Sequence, residues 1–549
     1  MLAVQITPTV VSKQLIVARC ATNSFLKDLI HQIYIRFCQG RALRTLLRLS
    51  GGTRKQFLLF SSVAYLLFFP VVLALFWLLP HRFRSLLLFI ASYYFYMSWI
   101  PAYGLLLFAL TVGNYLFGLA IGAFREKPFG KGLLALAVLL NLSTLCYFKY
   151  TDFFLASINK ALAQPWLSLN VSAFPLQHVL LPLGISFFVF EFIHYVVDVH
   201  RGSSPVKNFI NFSLFAAFFP SQIAGPIKRY QQFVKQLEER RVFSAALFEK
   251  GLALLLQGLF KKIAVADNLS NLVALGFSMH TLGCADAWVS ALAFAIQIYC
   301  DFSGYTDMGR GSALMMGFDL PDNFNYPYLA KNLSDFWKRW HISLSTWLRD
   351  YLYIALGGNR VGFYRRYFNL FMTMLLGGLW HGASWHFVVW GAFHGLGLIF
   401  SHTYDHYLKE QSSLAESLRQ FHSGKLGTVI SIVSTFLFVL VGWVFFRAES
   451  MSEALRVLQA MLPTGHSLSL PFTLYGEIQH SSVISVLLSY SIYRLIVDNC
   501  SRLAPLLPAT FKNLAAPRIP ARALLYLAVF FLAVSFAPNA ASPFIYFAF

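Results

Sequence analysis

Charged side chains are scarce in this chain. Asp, Glu, Lys and Arg make up 12% of its 549 residues, against about 25% in a soluble globular domain. With 57% hydrophobic residues and a mean hydropathy of +0.59, that scarcity excludes an ordinary soluble fold and implies a polytopic membrane protein. Acidic residues are the scarcest, 23 against 44 basic ones, a net charge of +21. This excess does not imply a nucleic-acid partner, because the short cytoplasmic loops of membrane proteins collect Lys and Arg. The six cysteines (Cys20, Cys38, Cys146, Cys284, Cys300, Cys500) form no CxxC pair. Four lie in or beside apolar runs and read as small buried residues, not as a disulfide frame or a metal site. No early segment shows the charge, apolar core and cleavage site of a signal peptide. Internal repeats, coiled coils and low-complexity tracts are likewise missing.

What is present is a series of apolar runs. The first strong one ends at Pro80, the second covers Ser85–Trp99 and the third Tyr103–Phe124. A fourth runs from Leu133 to about Phe154 and a fifth from His178 to Val199. The basic segments HRFR, REKPFGK and HRGSSPVK follow runs one, three and five. They therefore share one side of the membrane, and the positive-inside rule makes it the cytoplasm. Residues 1–57 stand apart, as a basic extension holding Asp28 as its one acid. Three readings of it stay open: an interfacial helix, a membrane-dipping element, or a mis-assigned start.

Beyond run five the pattern is irregular. NFSLFAAFFPSQIAGPIKRY is short and broken by Pro220, Gly225 and Pro226, and reads as a re-entrant or surface-lying segment. The run Leu247–Val265 is interrupted by Lys261 and Lys262, which with Lys228 and Arg229 read as lipid-headgroup contacts. The run Ala287–Tyr299 leads into DFSGYTDMGRG, a polar break at membrane depth. Its Asp301, Ser303, Tyr305 and Asp307 either line a tunnel or satisfy free backbone. Later runs are Phe368 to about Leu379, Trp385–Phe400, Val429–Phe446, Val483–Val497 and Ala523–Phe536, with a polar, aqueous loop from His402 to Gly427.

The densest chemistry lies between Asp335 and His394. Six of the eleven tryptophans fall there (Trp337, Trp340, Trp347, Trp380, Trp385, Trp390), and His341 and His381 each follow a tryptophan. Ionisable groups at membrane depth cost roughly 2.5–3.5 kcal/mol each on insertion scales, so a cluster of them marks a working site. Asp335, Arg339, Arg349 and Asp350 read first as a paired network, second as a site for a donor's phosphates. His402 and His406, four apart in HTYDH, have a spacing that can bind metal on a helix, but one such box in a polar loop is a weak signal.

Taken together, LPLGISFFVFEFIHYVVDVHRG, FFPSQIAGPIKRY, GLFKKIAVADNL, YCDFSGYTDMGRGSALMMGFDLPDNFNYPY, DFWKRWHISLSTWLRDYLYIALGGNR, GGLWHGASWHFVVWGAFHG, VGWVFFRAES and PFIYFAF resemble the membrane-bound O-acyltransferase (MBOAT) family. The resemblance is strongest to its AlgI-like alginate O-acetylation branch. It covers residues 58–549, with departures from the family pattern at Glu191, His194 and Ala355. It implies an all-α integral membrane disc of about eleven transmembrane helices, with re-entrant and interfacial helices around a central tunnel. It also implies that His381, in the WHG motif, is catalytic and that His341, in RWHISLS, is the second active-site histidine.

A neutral imidazole suits O-acylation, since its pKa lies near working pH and it can take the proton of an attacking hydroxyl. His381 is read as that base. His341 orients the acyl group or acceptor, holds His381 in one tautomer, or makes a structural hydrogen bond at a helix start. The resemblance further implies a bacterial inner-membrane enzyme with no bound cofactor or metal. Its donor is a cytoplasmic acyl thioester such as acetyl-CoA, its acceptor an extracellular polysaccharide such as alginate, and a periplasmic SGNH-type acetyltransferase its partner. D-alanyl transfer to teichoic acid is the alternative within the class. A lipid-linked sugar transporter is the alternative outside it, since broken helices and buried charges fit that too. The tryptophan–histidine motifs and the missing repeat favour the enzyme.

Overall fold

The computed structural model describes residues 58–162, 181–223, 225–410 and 412–474, with 476, 530, 544 and 545. The basic extension 1–57, the start of run five, and the runs Val483–Val497 and Ala523–Phe536 apart from Phe530 lie outside the described residues.

Among the described residues the regular structure is helical. The strand-like contact there is an isolated antiparallel bridge between Phe324 and Trp340. The first helices follow the apolar runs closely: α1 (Val63–Leu78), α2 (His81–Met97), α3 (Pro101–Phe124) and α4 (Pro128–Lys149). Pro101 and Pro128 open α3 and α4, where a missing N–H costs nothing. The fourth run is split: α4 stops at Lys149 and α5 (Thr151–Leu162) begins after Tyr150. Then come α6 (Ile185–His200), the short α7 (Phe209–Ala217), α8 (Tyr230–Glu238) and α9 (Ala245–Leu259). Helices α3, α4 and a later one, Lys425–Arg447, are both long and apolar enough to cross a membrane; α1 is apolar but shorter.

Two of the three basic segments meet, REKPFGK and HRGSSPVK, through Arg125 and Gly202. Arg84 donates to the Arg241 carbonyl (2.8 Å) and Arg125 to that of Gly202 (3.1 Å). Arg201 donates to the Asp350 carbonyl (3.4 Å).

Two expectations are corrected here. DFSGYTDMGRG is not a break: it lies inside one helix, α11 (Cys284–Met315), packed beside α9, a π-helical turn at Phe260–Ala266, and α10 (Asp267–Ser278). The lysines of that turn are not headgroup contacts. Lys261 pairs with Asp307 at 2.6 Å, and Lys262 bridges Asp267 and Asp301, each at 2.8 Å. Both are buried. The π-turn and α11 face each other, so the acids that looked like a helix break find cations directly opposite. Lys228 is likewise interior, 2.9 Å from Glu191 and 2.7 Å from Ser221 Oγ.

After Pro327–Leu329, a 3₁₀ turn, come α12 (Leu333–Arg339), α13 (Ile342–Trp347) and a π-turn at Leu348–Tyr353. The long α14 (Phe363–His381) and α15 (Trp385–Tyr407) form a hairpin, followed by α16 (Ser413–Ser423), α17 (Lys425–Arg447), α18 (Met451–Met461) and α19 (Gly465–Ser469). The expected loop from His402 to Gly427 is therefore largely helical. Its strongly amphipathic α16 presents one apolar side, with Ala415 buried.

Two hydrophobic clusters make the interior. One gathers α1 to α4, α6 to α9 and part of α11, and includes Trp347 and Trp380. The other gathers α10, α11, α15 and α17 and includes Trp340, Trp390 and Trp443. The tryptophan-rich stretch thus runs along the seam between them.

Candidate active site

His381 is the last residue of α14, and His341 sits in the non-helical position just before α13. The hairpin of α14 and α15 is drawn tight by glycine. A Cβ on Gly378 would fall 2.8 Å from Gly391 Cα and closer still to the Phe387 carbonyl. The two backbones can approach this closely only without side chains. Gly382 then leaves in an extended conformation (φ −160°), with the Phe387 ring filling the space a Cβ would need.

The end of α14 is held from α4. Lys149 Nζ donates to the carbonyls of Trp380 (2.6 Å) and His381 (3.0 Å), and Tyr150 Oη to that of Leu379 (2.9 Å). The ring of His381 lies on the seam. Trp380 of one cluster is 5.0 Å away, and Trp390 and Phe446 of the other are 5.1 and 5.2 Å away, all edge-on. Burial is nearly complete, with 5% of His381 exposed.

His341 is brought to the same tryptophan: its ring is 6.3 Å from that of Trp380 and 4.6 Å from Phe302. Its backbone is left-handed (φ 43°, ψ 55°), a conformation that costs a non-glycine residue about 1–2 kcal/mol. The segment Asn323–Asn325 imposes it. Ile342 N donates to the Asn323 carbonyl (3.0 Å), and Asn325 N to that of Arg339 (2.9 Å). Asn323 Oδ1 accepts from Ser343 N (3.2 Å) and Oγ (2.6 Å) and lies 3.3 Å from His341 Nδ1. An oxygen facing Nδ1 requires the proton there, so Nε2 keeps its lone pair. Strain of this kind persists where the surroundings over-determine the backbone, and such places are often working sites.

Between α13 and α14, lined by Ile342 and Thr346 of one and Leu370 and Thr373 of the other, lies a cavity of about 580 Å³. Its inner wall includes Leu348, Thr373 and Met374, and its outer rim includes Lys338, Arg349, Arg366 and His402. Among the described residues no carboxylate lines it. His381 is not in its wall, but Leu348 Cδ1 comes within 3.3 Å of where a Cβ on Gly377 would be, one helical turn from His381. The remaining expected charges are paired: Arg339 with Asp335 (2.8 Å), and Arg349 and Arg229 with Asp350 (2.8 and 2.6 Å). His402 stands on the cavity rim, and among the described residues no cluster of His, Cys, Asp or Glu could hold a metal.

Residues 133–438 match the model of the membrane-bound O-acyltransferase family. This chain belongs to that family. It is similar to a probable alginate O-acetylase, AlgI, of Pseudomonas aeruginosa, at 44% identity over 412 residues, covering 74% of this chain and 75% of that protein. It is 37% identical over 408 residues to a peptidoglycan O-acetyltransferase of Helicobacter pylori (69% and 74% covered). With a teichoic acid D-alanyltransferase of Bacillus subtilis it shares 28% over 309 residues (52% and 73%). The chain is accordingly a membrane O-acyltransferase.

Several residues around the site of this acyltransferase escaped the sequence reading. Asn323 was inside a quoted motif, with nothing to single it out. Lys149 was a usable signal: one cation inside what read as a single apolar run. His394 is fully buried beside Trp390 (4.8 Å) and Trp337 (5.3 Å). Ile545 N reaches Asp301 Oδ2 (2.7 Å), and Phe544 stacks on Tyr305 at 4.1 Å.

Proposed function

We propose that this acyltransferase moves an acetyl group from a cytoplasmic thioester, acetyl-CoA or similar, toward the hydroxyls of an extracellular polysaccharide of the alginate type. What carries the reading is the cavity with a cationic rim and an apolar end. Its rim stands on the same face as the basic loops, since Asp350, next to Arg349, receives Arg201 from HRGSSPVK. Cations suit the phosphates of a coenzyme, and the apolar inner wall suits a short acyl chain aimed at His381. The reading keeps the disc of about eleven spans and the central tunnel that the resemblance implies, set in a bacterial inner membrane. An SGNH-type partner in the periplasm completes delivery to the glycan, and no bound cofactor or metal takes part.

In this scheme an imidazole, that of His381, removes the proton from the attacking hydroxyl. The hydroxyl oxygen bonds to the acyl carbon, the carbon–sulfur bond breaks, and the proton passes to the departing thiolate. His341, held in its Nδ1–H tautomer by Asn323, offers Nε2 as a fixed acceptor beside it. A positioned base of this kind contributes about 10²–10⁴-fold. The test is His381→Ala in cells that export the polysaccharide. Acetylation should vanish while protein level and glycan export persist; export failing with acetylation intact would overturn the reading.

A further inference from the structure

The two residues that end α4 hold the last three carbonyls of α14, those of Leu379, Trp380 and His381. A helix end leaves such carbonyls without intrahelical partners. Many helices solve this by turning the chain back through a left-handed residue. Here the chain does not turn back: Gly382 is extended, and the Phe387 ring occupies the place a Cβ there would take. Lys149 and Tyr150 take over the task from a separate helix. Among the described residues no carboxylate pairs with Lys149, although other interior lysines here have such partners. Two of its three N–H groups go to α14 carbonyls instead. One of those carbonyls belongs to His381 itself, and Lys149 Nζ also lies 5.9 Å from the Trp380 ring centroid, the ring both histidines share.

We propose that Lys149 is a positioning residue for the acyl-transfer reaction: its ammonium fixes the end of α14, and so the height and direction of the His381 ring, without touching substrate. Tyr150 serves the same end one carbonyl earlier. The inference rests on His381 acting as the base. A cation suits the place because charge-assisted hydrogen bonds to the two carbonyls are stronger than those a neutral donor makes. Its loss lets the last turn fray, and a displacement of about 1 Å at a reacting group costs on the order of 10²-fold in rate.

The experiment uses inner-membrane vesicles carrying the full chain, radiolabelled acetyl-CoA as donor and the native polysaccharide as acceptor. Lys149→Met should lower kcat about 10²-fold with the KM for acetyl-CoA within about twofold of wild type, while Lys149→Arg, which keeps the donors, regains most of the rate. Tyr150→Phe, a milder change, should lower kcat several-fold with KM unchanged, and answers the question if Lys149→Met does not accumulate. Wild-type kcat in Lys149→Met, no recovery in Lys149→Arg, or, where Lys149→Met does not accumulate, wild-type kcat in Tyr150→Phe overturns the proposal. So does a loss of rate matched by an equal loss of folded protein. His381→Ala is run beside them: if it stays active, the base reading fails; if it is dead while Lys149→Met is fully active, only the positioning role fails.

Discussion

Asn323 Oδ1 sits 3.3 Å from His341 Nδ1 and takes both donors of Ser343 as well. One side-chain oxygen therefore decides which nitrogen of the imidazole carries the proton. Removing it leaves Ser343 N and His341 Nδ1 without their acceptor in a buried setting, at about 1–3 kcal/mol, and frees the ring to adopt the other tautomer. Asn323→Ala is expected to lower the acetylation rate about 10–100-fold, the range that follows loss of the partner orienting a metal-bound histidine. Thermal unfolding in detergent should fall by only a few degrees. Acetyl transfer at the wild-type rate would show that the tautomer does not matter.

The Glu191–Lys228 pair, 2.9 Å apart with both groups at least 95% buried, is expected to behave as a unit. Breaking such a pair by removing one partner costs about 3–5 kcal/mol, because a bare charge stays inside. Lys228→Met alone should sharply lower the unfolding midpoint in detergent. Adding Glu191→Leu should recover most of the loss, since two apolar side chains fill the space without a desolvation cost. A double variant no better than the single would mean the pair acts through something other than its charges.

Where the sequence was read correctly and where it was not follows from the same physics. The apolar runs around α1 to α4 are local and continuous, so their ends lie within a few residues of the helices. The histidines were legible because each sits in a tryptophan motif. The charges were misread because a charge reports its cost locally and its compensation only in three dimensions. Lys261 meets Asp307 across 46 residues of chain, and nothing near either one announces the other. Alone, each looked like a break or a headgroup anchor; facing each other, they leave α11 continuous. Lys149 was hidden for the opposite reason, since its partners are carbonyls, which every residue has.

The rim of the cavity supplies a kinetic prediction. Arg366 and Lys338 line it together with Arg349. If a phosphate-bearing thioester enters there, losing one cation removes a charge-assisted contact of about 1.5–3 kcal/mol, where 1.4 kcal/mol is tenfold in affinity. Arg366→Ala should raise the KM for acetyl-CoA about tenfold and leave kcat within twofold. The wild-type KM should itself rise with salt, because exposed cations are screened. A KM that responds to neither change would place donor entry elsewhere.

The tight hairpin makes the sharpest structural prediction. Gly378 and Gly391 face each other across α14 and α15, and a Cβ on either one meets backbone atoms of the opposite helix, which cannot rotate away. Alanine at either position must push the helices apart, and overpacking of this kind costs about 1–3 kcal/mol. Separation of the helices also moves His381, one turn beyond Gly378, away from the Trp390 and Phe446 rings of the second cluster. Gly378→Ala should therefore lower both the unfolding midpoint and the acetylation rate, the rate by more than the loss of folded protein accounts for. Gly132→Ala, at a position where no atom lies within 4 Å of the added methyl, is the matched control and should change neither. If the two variants unfold and turn over alike, the close approach of α14 and α15 does not hold the site in shape.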